Sequence, residues 1–246
     1  MRHTLLEPLF QPIFDRAGRV FAYEALLRLK GRDTSPARLV KRFESTGSIV
    51  ELDLAMVRRV GEILAANGSR PRLSINVSMV TVERAGAAYV RALESIALYT
   101  QLLIVELTET APVTDPALLR TFYAACRHRG YALALDDCRP GHLYGSPLFI
   151  CSLQPQFVKL DGRFLHESYK SKDPADLIRI IQAARAAAAP VIAEFVSSAA
   201  LHEFALQAGA DYAQGYELGR PAPLPPLPPT AANEGQYPLS FKDDAI

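Results

Sequence analysis

Polar side chains recur at the ends of short apolar segments along this chain of 246 residues. The residues at these positions are Glu24, Asn76, Glu106, Asp136 with Asp137, Lys159, Glu194 and Gln214. A strand that helices cover on both faces buries its side chains, so a carboxylate there is unfavourable unless it is paired or binds a cation. Repetition at successive strand ends is typical of a (β/α) barrel whose polar site lies at the carboxyl ends of its strands.

Strand and helix signals alternate along the chain and predict parallel βαβ units. Two strands, residues 8–14 and 19–29, flank a turn at residues 15–18 and form an antiparallel opening pair. The predicted helices are one that begins at Ser35-Pro36 and ends at Gly47, then 52–66, 82–98, 115–128, 174–188 and 198–207. The later strands are 73–77, 102–107, 132–135, 157–160, 191–193 and 212–213, with an irregular segment at 139–155. We therefore predict an α/β fold, a TIM-like (β/α) barrel with an antiparallel first strand.

Composition excludes several classes of protein. Lys plus Arg number 27 against 26 Asp plus Glu, a net charge of +1, which argues against a nucleic acid polymer as partner. Cys126, Cys138 and Cys151 show no C-x-x-C spacing, so we expect neither a disulfide framework nor a thiolate zinc site, and a reducing compartment. Since no apolar run approaches about 18 residues, we expect no membrane partner and a cytoplasmic location.

The composition changes after Arg220, which predicts two regions: a barrel domain at residues 1–221 and a proline-rich tail at 222–246. Residues 221–229 predict a polyproline II segment with few packed contacts, and residues 230–246 predict disorder. Two interpretations remain open. The tail is either a docking peptide for a protein partner, with Leu224 and Leu227 as anchors, or a spacer that needs no partner.

The strand-end residues have the chemistry of a cation site. Carboxylate and amide oxygens converging from several strands suit a hard divalent ion such as Mg²⁺ or Mn²⁺. Adjacent Asp136 and Asp137 cannot both face the interior of an ideal strand, because side chains alternate. At a strand end this alternation relaxes, and a carboxylate can then bridge two ions roughly 3.5–4 Å apart, as a two-metal phosphodiesterase requires.

Each residue taken alone also has a simpler structural explanation. Glu24 would pair with Arg28 on a solvated face, and Asn76 would cap a helix or turn. Lys159 and Asp161, two residues apart, would form an exposed ion pair. The joint placement of all these groups at successive strand ends favours a common site.

Eight short motifs occur in an order and spacing that resemble those of EAL domains, the bacterial cyclic di-GMP phosphodiesterases. They are Gln11-Pro12-Ile13, Glu24-Ala25-Leu26-Leu27-Arg28, Asn76-Val77-Ser78, Glu106-Leu107-Thr108-Glu109, Asp136-Asp137, Lys159-Leu160-Asp161, Ala193-Glu194, and Gln214-Gly215-Tyr216 with Gly219-Arg220-Pro221. The resemblance extends from about Leu5 to Pro221. It implies hydrolysis of cyclic di-GMP to linear pGpG. It also implies a site for two Mg²⁺ or Mn²⁺ ions, and assembly as a homodimer.

The resemblance also implies a role for each matching residue. Glu24, Asn76, Glu106 and Asp136 match the ligands of the first ion, and Asp136 and Asp137 those of the second. Lys159 matches the residue that positions the attacking water, and Glu194 matches a further acid that acts as general base. Gln11, Arg28 and Gln214 match substrate-binding residues. Gln11 and Arg28 would hold the substrate, and Gln214 would support the water shell of the second ion. Glu109 and Asp161 match residues that support the site.

The chain departs from the family pattern at two places. Where the family has Phe-Gly-x-Gly-x-Ser-Ser after the paired acids, this chain has Cys138-Arg139-Pro140-Gly141-His142-Leu143-Tyr144. Where the family has Glu-Gly-Val-Glu, it has Glu194-Phe195-Val196-Ser197. These changes predict weak activity, because the groups that support the metal ligands are altered. Two alternatives therefore stay open: a receptor that binds cyclic di-GMP without cleaving it, and a domain that acts through protein contacts.

Overall fold

Eight strands close into a barrel in the computed structural model, which describes residues 5–31, 37–108 and 111–226. The strands are β1 Leu9–Asp15, β2 Val20–Leu26, β3 Arg72–Ser78, β4 Leu102–Thr108, β5 Ala132–Cys138, β6 Phe157–Leu160, β7 Val191–Ala193 and β8 Tyr212–Ala213. Strand β1 pairs antiparallel with both β2 and β8, and the other neighbours pair in parallel. The predicted barrel with an antiparallel first strand is confirmed.

Helices surround this barrel. In the described ranges they are α1 Ala37–Thr46, α2 Ile49–Asn67, α3 Met79–Ala92, α4 Glu94–Ala97, α5 Pro116–His128, α6 Pro147–Leu153, α7 Gly162–Ser171, α8 Ala175–Ala186 and α9 Ala199–Ala208. Local sequence sets several ends. Helix α5 begins after Asp115, whose carboxylate accepts from the Ala117 amide at 2.8 Å, and α2 ends at Gly68, which has φ +73°. The predicted start at Ser35-Pro36 lies outside the described residues.

Three helix predictions need correction. The segment predicted as irregular contains α6, which begins with Pro147 after Ser146, and no helix was predicted where α7 follows its cap Asp161. The single helix predicted over 82–98 is two helices, and the first of them is kinked at Ala85, which has φ −146°. Helix α6 has seven residues and no side-chain cap bond, so the burial of Ile150 and Leu153 stabilises it, whereas the Asp161 carboxylate caps α7.

Side chains inside the barrel form an apolar layer directly beneath the strand-end polar groups. Because side chains alternate along a strand, the residue two positions from each polar group also points inward. The buried interior cluster consists of Ile13, Phe21, Ala22, Ile104, Ala132, Ala134, Phe157, Ile192 and Tyr212. The rings of Phe21 and Tyr212 stack with centroids 4.1 Å apart. This layer closes the barrel from below, so the polar groups open toward one end only.

The segment after Arg220 packs against the barrel up to Pro225. Ala222 and Phe10 exchange two backbone hydrogen bonds, of 2.7 and 3.1 Å. Leu224 is buried in the main hydrophobic core, and the Asn67 side-chain amide donates to its carbonyl at 3.4 Å. The prediction of few packed contacts is therefore wrong for this part of the segment. Leu224 packs inside its own domain, which removes it as an anchor for a partner, and Leu227 lies outside the described residues.

We predict that Leu224→Ala lowers the free energy of unfolding by about 2 kcal/mol, because it deletes a buried side chain from the core. Leu148→Ala is the matched control, since Leu148 is 84% exposed and its truncation leaves no cavity. Denaturant unfolding of both variants checks this expectation. Equal stability of the two variants would contradict the packing of this segment against the barrel.

Candidate active site

A β-bulge near the end of β5 brings two adjacent carboxylates to the same end of the barrel. Leu135 pairs with Val158 and Cys138 with Leu160, so β5 carries one more residue than β6 between these pairs. Asp137 lies in this bulge with φ +53°, a left-handed conformation that costs a non-glycine residue roughly 1–3 kcal/mol. The bulge interrupts the alternation of side chains, and both Asp136 and Asp137 line the same cleft.

The ammonium group of Lys159 lies at the centre of four carboxylates. Lys159 is completely buried, and its charge would be unfavourable there without partners. Its Nζ lies 2.7 Å from Glu194 Oε1, 2.8 Å from Glu106 Oε2, 3.0 Å from Asp136 Oδ1 and 3.5 Å from Glu24 Oε2. The interpretation of Lys159 and Asp161 as an exposed pair is therefore wrong. The lysine joins β2, β4, β5 and the end of β7 through a single cation.

Two amide side chains fix the Glu24 carboxylate. Asn76 Nδ2 donates to Glu24 Oε1 and Gln214 Nε2 donates to Glu24 Oε2, both at 2.8 Å. Glu24 is buried, and its partners are these amides and Lys159. Gln11 lies opposite Glu24 in the β1–β2 pair and donates from Nε2 to the Gly219 carbonyl at 3.0 Å. The interpretation of Glu24 as a solvated partner of Arg28 is therefore wrong.

Burial and mutual repulsion separate the proton affinities of these acids. Burial raises the pKa of Glu106 to about 8, with the Glu24 charge adding to the shift. Burial and the neighbouring Asp136 raise the pKa of Asp137 to about 7, and burial raises that of Glu194 well above its usual range. Burial opposes ionisation of Glu24 too, but the Lys159 ammonium and the two amides hold its pKa below the usual value. The carboxylates outweigh burial and raise the pKa of Lys159, which keeps its charge.

The donor set fits a divalent cation. One oxygen from each of Asp136, Asp137 and Glu194 lies within 4.8 Å of the others. Glu106 Oε1 and Gln214 Oε1 are fully buried and accept no hydrogen bond from the part of the chain that the structure describes. Such orphaned oxygens are rare in native proteins unless water or an ion satisfies them. Carboxylate and amide oxygens are the ligands that Mg²⁺ and Mn²⁺ prefer.

A cleft of about 530 Å³ opens above these groups. Arg28 and Gln11 line its wall, and Phe195 and Tyr216 stand at its rim, with 68% and 57% of their surfaces exposed. Phe195 has φ +53°, and it packs so closely on Gly162 that an added Cβ there would lie 2.3 Å from Phe195 Cβ. The sequence prediction missed Phe195 as a site residue. Its signal was a large aromatic residue where the family pattern has glycine.

The altered loop is held by an ion pair. Arg139 Nη1 lies 2.6 Å from Asp161 Oδ2, and Asp161 Oδ1 accepts from the Phe164 amide at 2.8 Å, which caps α7. The Asp161 carboxylate therefore contacts the loop and the helix, and the described acids that pair with Lys159 are those of the site floor. Ser197, which replaces the second acid of the family motif, is exposed beside His166, with Oγ and Nε2 3.4 Å apart.

The structure thus brings most of the predicted site residues to one end of the barrel. The carboxylates, Lys159 and the two amides form its floor, and Gln11 and Arg28 form part of its wall. Asp161 is not part of this group, because its carboxylate pairs with Arg139 and caps α7. Glu109 lies outside the described residues, so its predicted supporting role stays a prediction.

Comparison with known proteins places this architecture in a family. The EAL domain family model matches residues 1–221, and the chain belongs to that family. It is 27% identical to the cyclic di-GMP phosphodiesterase PdeF of Escherichia coli K12 over 91% of this chain and 31% of the relative. It is 29% identical to the cyclic di-GMP phosphodiesterase PdeB of Shewanella oneidensis MR-1 over 82% of this chain and 24% of the relative. The chain spans about a third or less of these relatives.

A solved structure shows the same fold. The PaMucR phosphodiesterase, solved as a complex with c-di-GMP, superposes with a TM-score of 0.75 at 26% identity, over 89% of this chain and 93% of that one. In the described ranges, no helix has both the length and the apolar composition needed to cross a membrane.

We predict that divalent ions bind more tightly as the pH rises from 6 to 8. Ion binding requires ionised carboxylates, so a protonated ligand must first lose its proton. For each such ligand, the affinity for the ion falls by up to about tenfold per pH unit below the pKa of that carboxyl group. Asp137, with a pKa of about 7, and Glu106, with a pKa of about 8, are the groups concerned. Calorimetric titration with Mn²⁺ at several pH values measures the slope.

The same pKa shifts determine the direction in which the stability of the metal-free protein changes with pH. Because the pKa values of Asp137 and Glu106 are raised in the folded state, folding takes up protons, and stability declines between about pH 4 and 8 as these groups ionise. Asp137→Asn should reduce both slopes near pH 7. A cation affinity that does not change with pH would show that these acids are not its ligands.

Proposed function

We propose that this chain is a metal-dependent phosphodiesterase that hydrolyses cyclic di-GMP to linear pGpG in bacterial second-messenger signalling, in the cytoplasm. The observation that carries the proposal is the group of four carboxylates around the buried Lys159, at the open end of an EAL barrel. The names of PdeF and PdeB, and the ligand of the PaMucR structure, support cyclic di-GMP as the substrate.

Glu24, Asn76, Glu106 and Asp136 would hold one divalent ion, and Asp136 with Asp137 would hold a second. Mg²⁺ or Mn²⁺ fits these oxygen donors, and the bound ions would activate a water and stabilise the leaving oxygen. The orphaned Glu106 Oε1 supports this assignment, because it is a buried acceptor that an ion would satisfy. The bulge supports it too, because it gives Asp136 and Asp137 access to one space.

Lys159 and Glu194 have complementary tasks in the proposed reaction. Lys159 remains charged, so it acts as a fixed hydrogen-bond donor that orients the nucleophilic water and stabilises its developing negative charge. Glu194 bonds to Lys159 at 2.7 Å and also lines the cleft, where it can hold the proton that the water loses. Burial raises the pKa of Glu194 well above its usual value, so this carboxylate holds a proton more strongly than an exposed glutamate does.

The cleft walls suit a cyclic dinucleotide. The forked guanidinium of Arg28 matches a phosphate, and its Nη1 already donates to the Leu27 carbonyl at 2.8 Å, which restrains the side chain. Exposed aromatic rings at Phe195 and Tyr216 offer faces on which purine bases can stack. Arg220 lies over the Tyr216 ring at 4.5 Å and fixes its orientation.

A receptor that binds cyclic di-GMP without cleaving it is the second candidate. The observation that favours it is the Arg139–Asp161 ion pair, which holds the loop after Asp137 in one position. The family pattern has a glycine where Arg139 stands, and a mobile loop would let Asp137 adjust to the ion during the reaction. The two candidates share the binding site and differ in turnover.

We predict that the purified protein converts cyclic di-GMP to pGpG with Mg²⁺ or Mn²⁺, and that Lys159→Ala lowers turnover by about 10²–10³-fold while nucleotide affinity stays nearly unchanged. Glu24→Ala should weaken both ion binding and turnover. Lys170→Ala, which removes an exposed charge from α7, is the control. Chromatography of the products and calorimetry with Ca²⁺ measure the two quantities, and a wild-type rate in Lys159→Ala would contradict the assigned mechanism.

The two candidates are separated by a variant that restores the family loop. Gly141 is already present with φ +79°, so Arg139→Gly recreates Gly-x-Gly, and Leu143→Ser with Ser197→Glu restores the supporting groups. If the ion pair limits activity, turnover should rise about tenfold or more, with affinity changing less.

Arg19→Ala is the matched control for this loop variant. Arg19 is 80% exposed and pairs with Asp15 at 2.9 Å beside the β1–β2 turn, so its loss removes an exposed arginine away from the loop. Unchanged turnover and affinity in the restored loop variant would show that this loop does not control the site.

A further inference from the structure

The positive charge at the floor of the site belongs to the protein itself. Lys159 Nζ lies within 3.0 Å of oxygens from Glu106, Asp136 and Glu194, and the lysine has no exposed surface. Two of these acids, Glu106 and Asp136, are also ligands in the proposed metal site. The ammonium and a divalent ion would therefore share partners.

An ammonium and a divalent ion hold carboxylates at different distances. Mg²⁺ takes oxygens at about 2.0–2.1 Å in a nearly octahedral shell, whereas an ammonium takes them at about 2.7–2.9 Å. At Glu106 the ammonium contacts Oε2 and leaves Oε1 open to an ion, whereas at Asp136 it contacts Oδ1 of a carboxylate that the proposed site assigns to both ions. Two cations packed beside each other in a buried site also repel each other strongly, because little water screens them.

The alternative partners of Lys159 are limited. In the part of the chain that the structure describes, its ion-pair partners are the four acids of the site. Glu24 is already bonded to Asn76 and Gln214, and the Nζ–Oε2 distance to it is the longest of the four, at 3.5 Å. Ions that take both oxygens of Asp136 would leave Lys159 with Glu106 Oε2 and Glu194 as its main partners.

We propose that Lys159 competes with the divalent ion for this carboxylate cluster: it stabilises the cluster before the ion binds and keeps the ion's affinity low. The inference rests on the proposed function, since it concerns the same ion. It gives Lys159 a second task, separate from orienting the water. Because the ammonium already neutralises part of the negative charge in the empty site, a higher concentration of free ion is needed to fill it.

The test is ion affinity in the absence of nucleotide, measured by calorimetric titration of Mn²⁺ into the wild-type protein and Lys159→Met. Methionine has a similar length and no charge. We expect the Mn²⁺ dissociation constant to fall at least tenfold in Lys159→Met, the metal-free melting temperature to drop, and the rise on adding Mn²⁺ to exceed that of the wild type. Lys170→Met removes the same charge from an exposed position and should change none of these values.

Unchanged or weaker Mn²⁺ affinity in folded Lys159→Met would overturn the inference. Lys159→Gln, which is neutral but can form hydrogen bonds, guards against misfolding. Variants that fold only with Mn²⁺ would support the competition, and variants that fold under neither condition would overturn it. Failure of the proposed function looks different: the wild-type protein and both variants would then bind no Mn²⁺ and release no pGpG.

Discussion

The buried ion cluster around Lys159 is the interaction on which the rest of the site depends. Four carboxylates on different strands would repel one another in a low-dielectric interior, and one ammonium at 2.7–3.5 Å brings them together. Removing one partner from such a cluster leaves an unpaired buried charge. The amides of Asn76 and Gln214 add hydrogen bonds to the Glu24 carboxylate, which has the longest contact with the ammonium. The cluster is tolerated because the barrel holds it at one open end, above an apolar layer that excludes water from below.

The same barrel accepts local strain beside this cluster. Asp137 and Phe195 both have left-handed backbones, and each directly follows an acid of the site. Residues in such conformations persist where the surrounding structure determines them, and they concentrate at functional sites. At Asp137 the strain accompanies the bulge that gives two adjacent carboxylates one space. At Phe195 it places an aromatic ring at the rim of the cleft, so backbone geometry and ligand chemistry are linked at both strand ends.

The sequence predicted the barrel because strand and helix periods alternate regularly, and it predicted the floor of the site because polar groups at buried strand ends have few structural uses. The bulge at the end of β5 interrupts the alternation of side chains, as expected for Asp136 and Asp137, and their role as ligands stays a prediction. Helix α6 was missed because its seven residues are too few to show a helical period, and α7 was missed because Asp161 was assigned to the site and not to a helix cap. The burial of Leu224 was missed because a proline-rich composition does not show that the following segment pairs with β1 and packs into the main core. Arg139 was recognised as a departure from the pattern, but its pairing with Asp161 depends on the fold.

Anomalous diffraction from crystals grown with Mn²⁺ tests the central claim most directly, because it locates the ions without relying on catalysis. The account predicts one peak bounded by Glu24, Asn76, Glu106 and Asp136, and a second beside Asp136 and Asp137, with the Lys159 ammonium moved away from Asp136. Saturating Mn²⁺ with no anomalous peak at this end of the barrel, and Lys159 still in contact with Asp136 Oδ1, would contradict it.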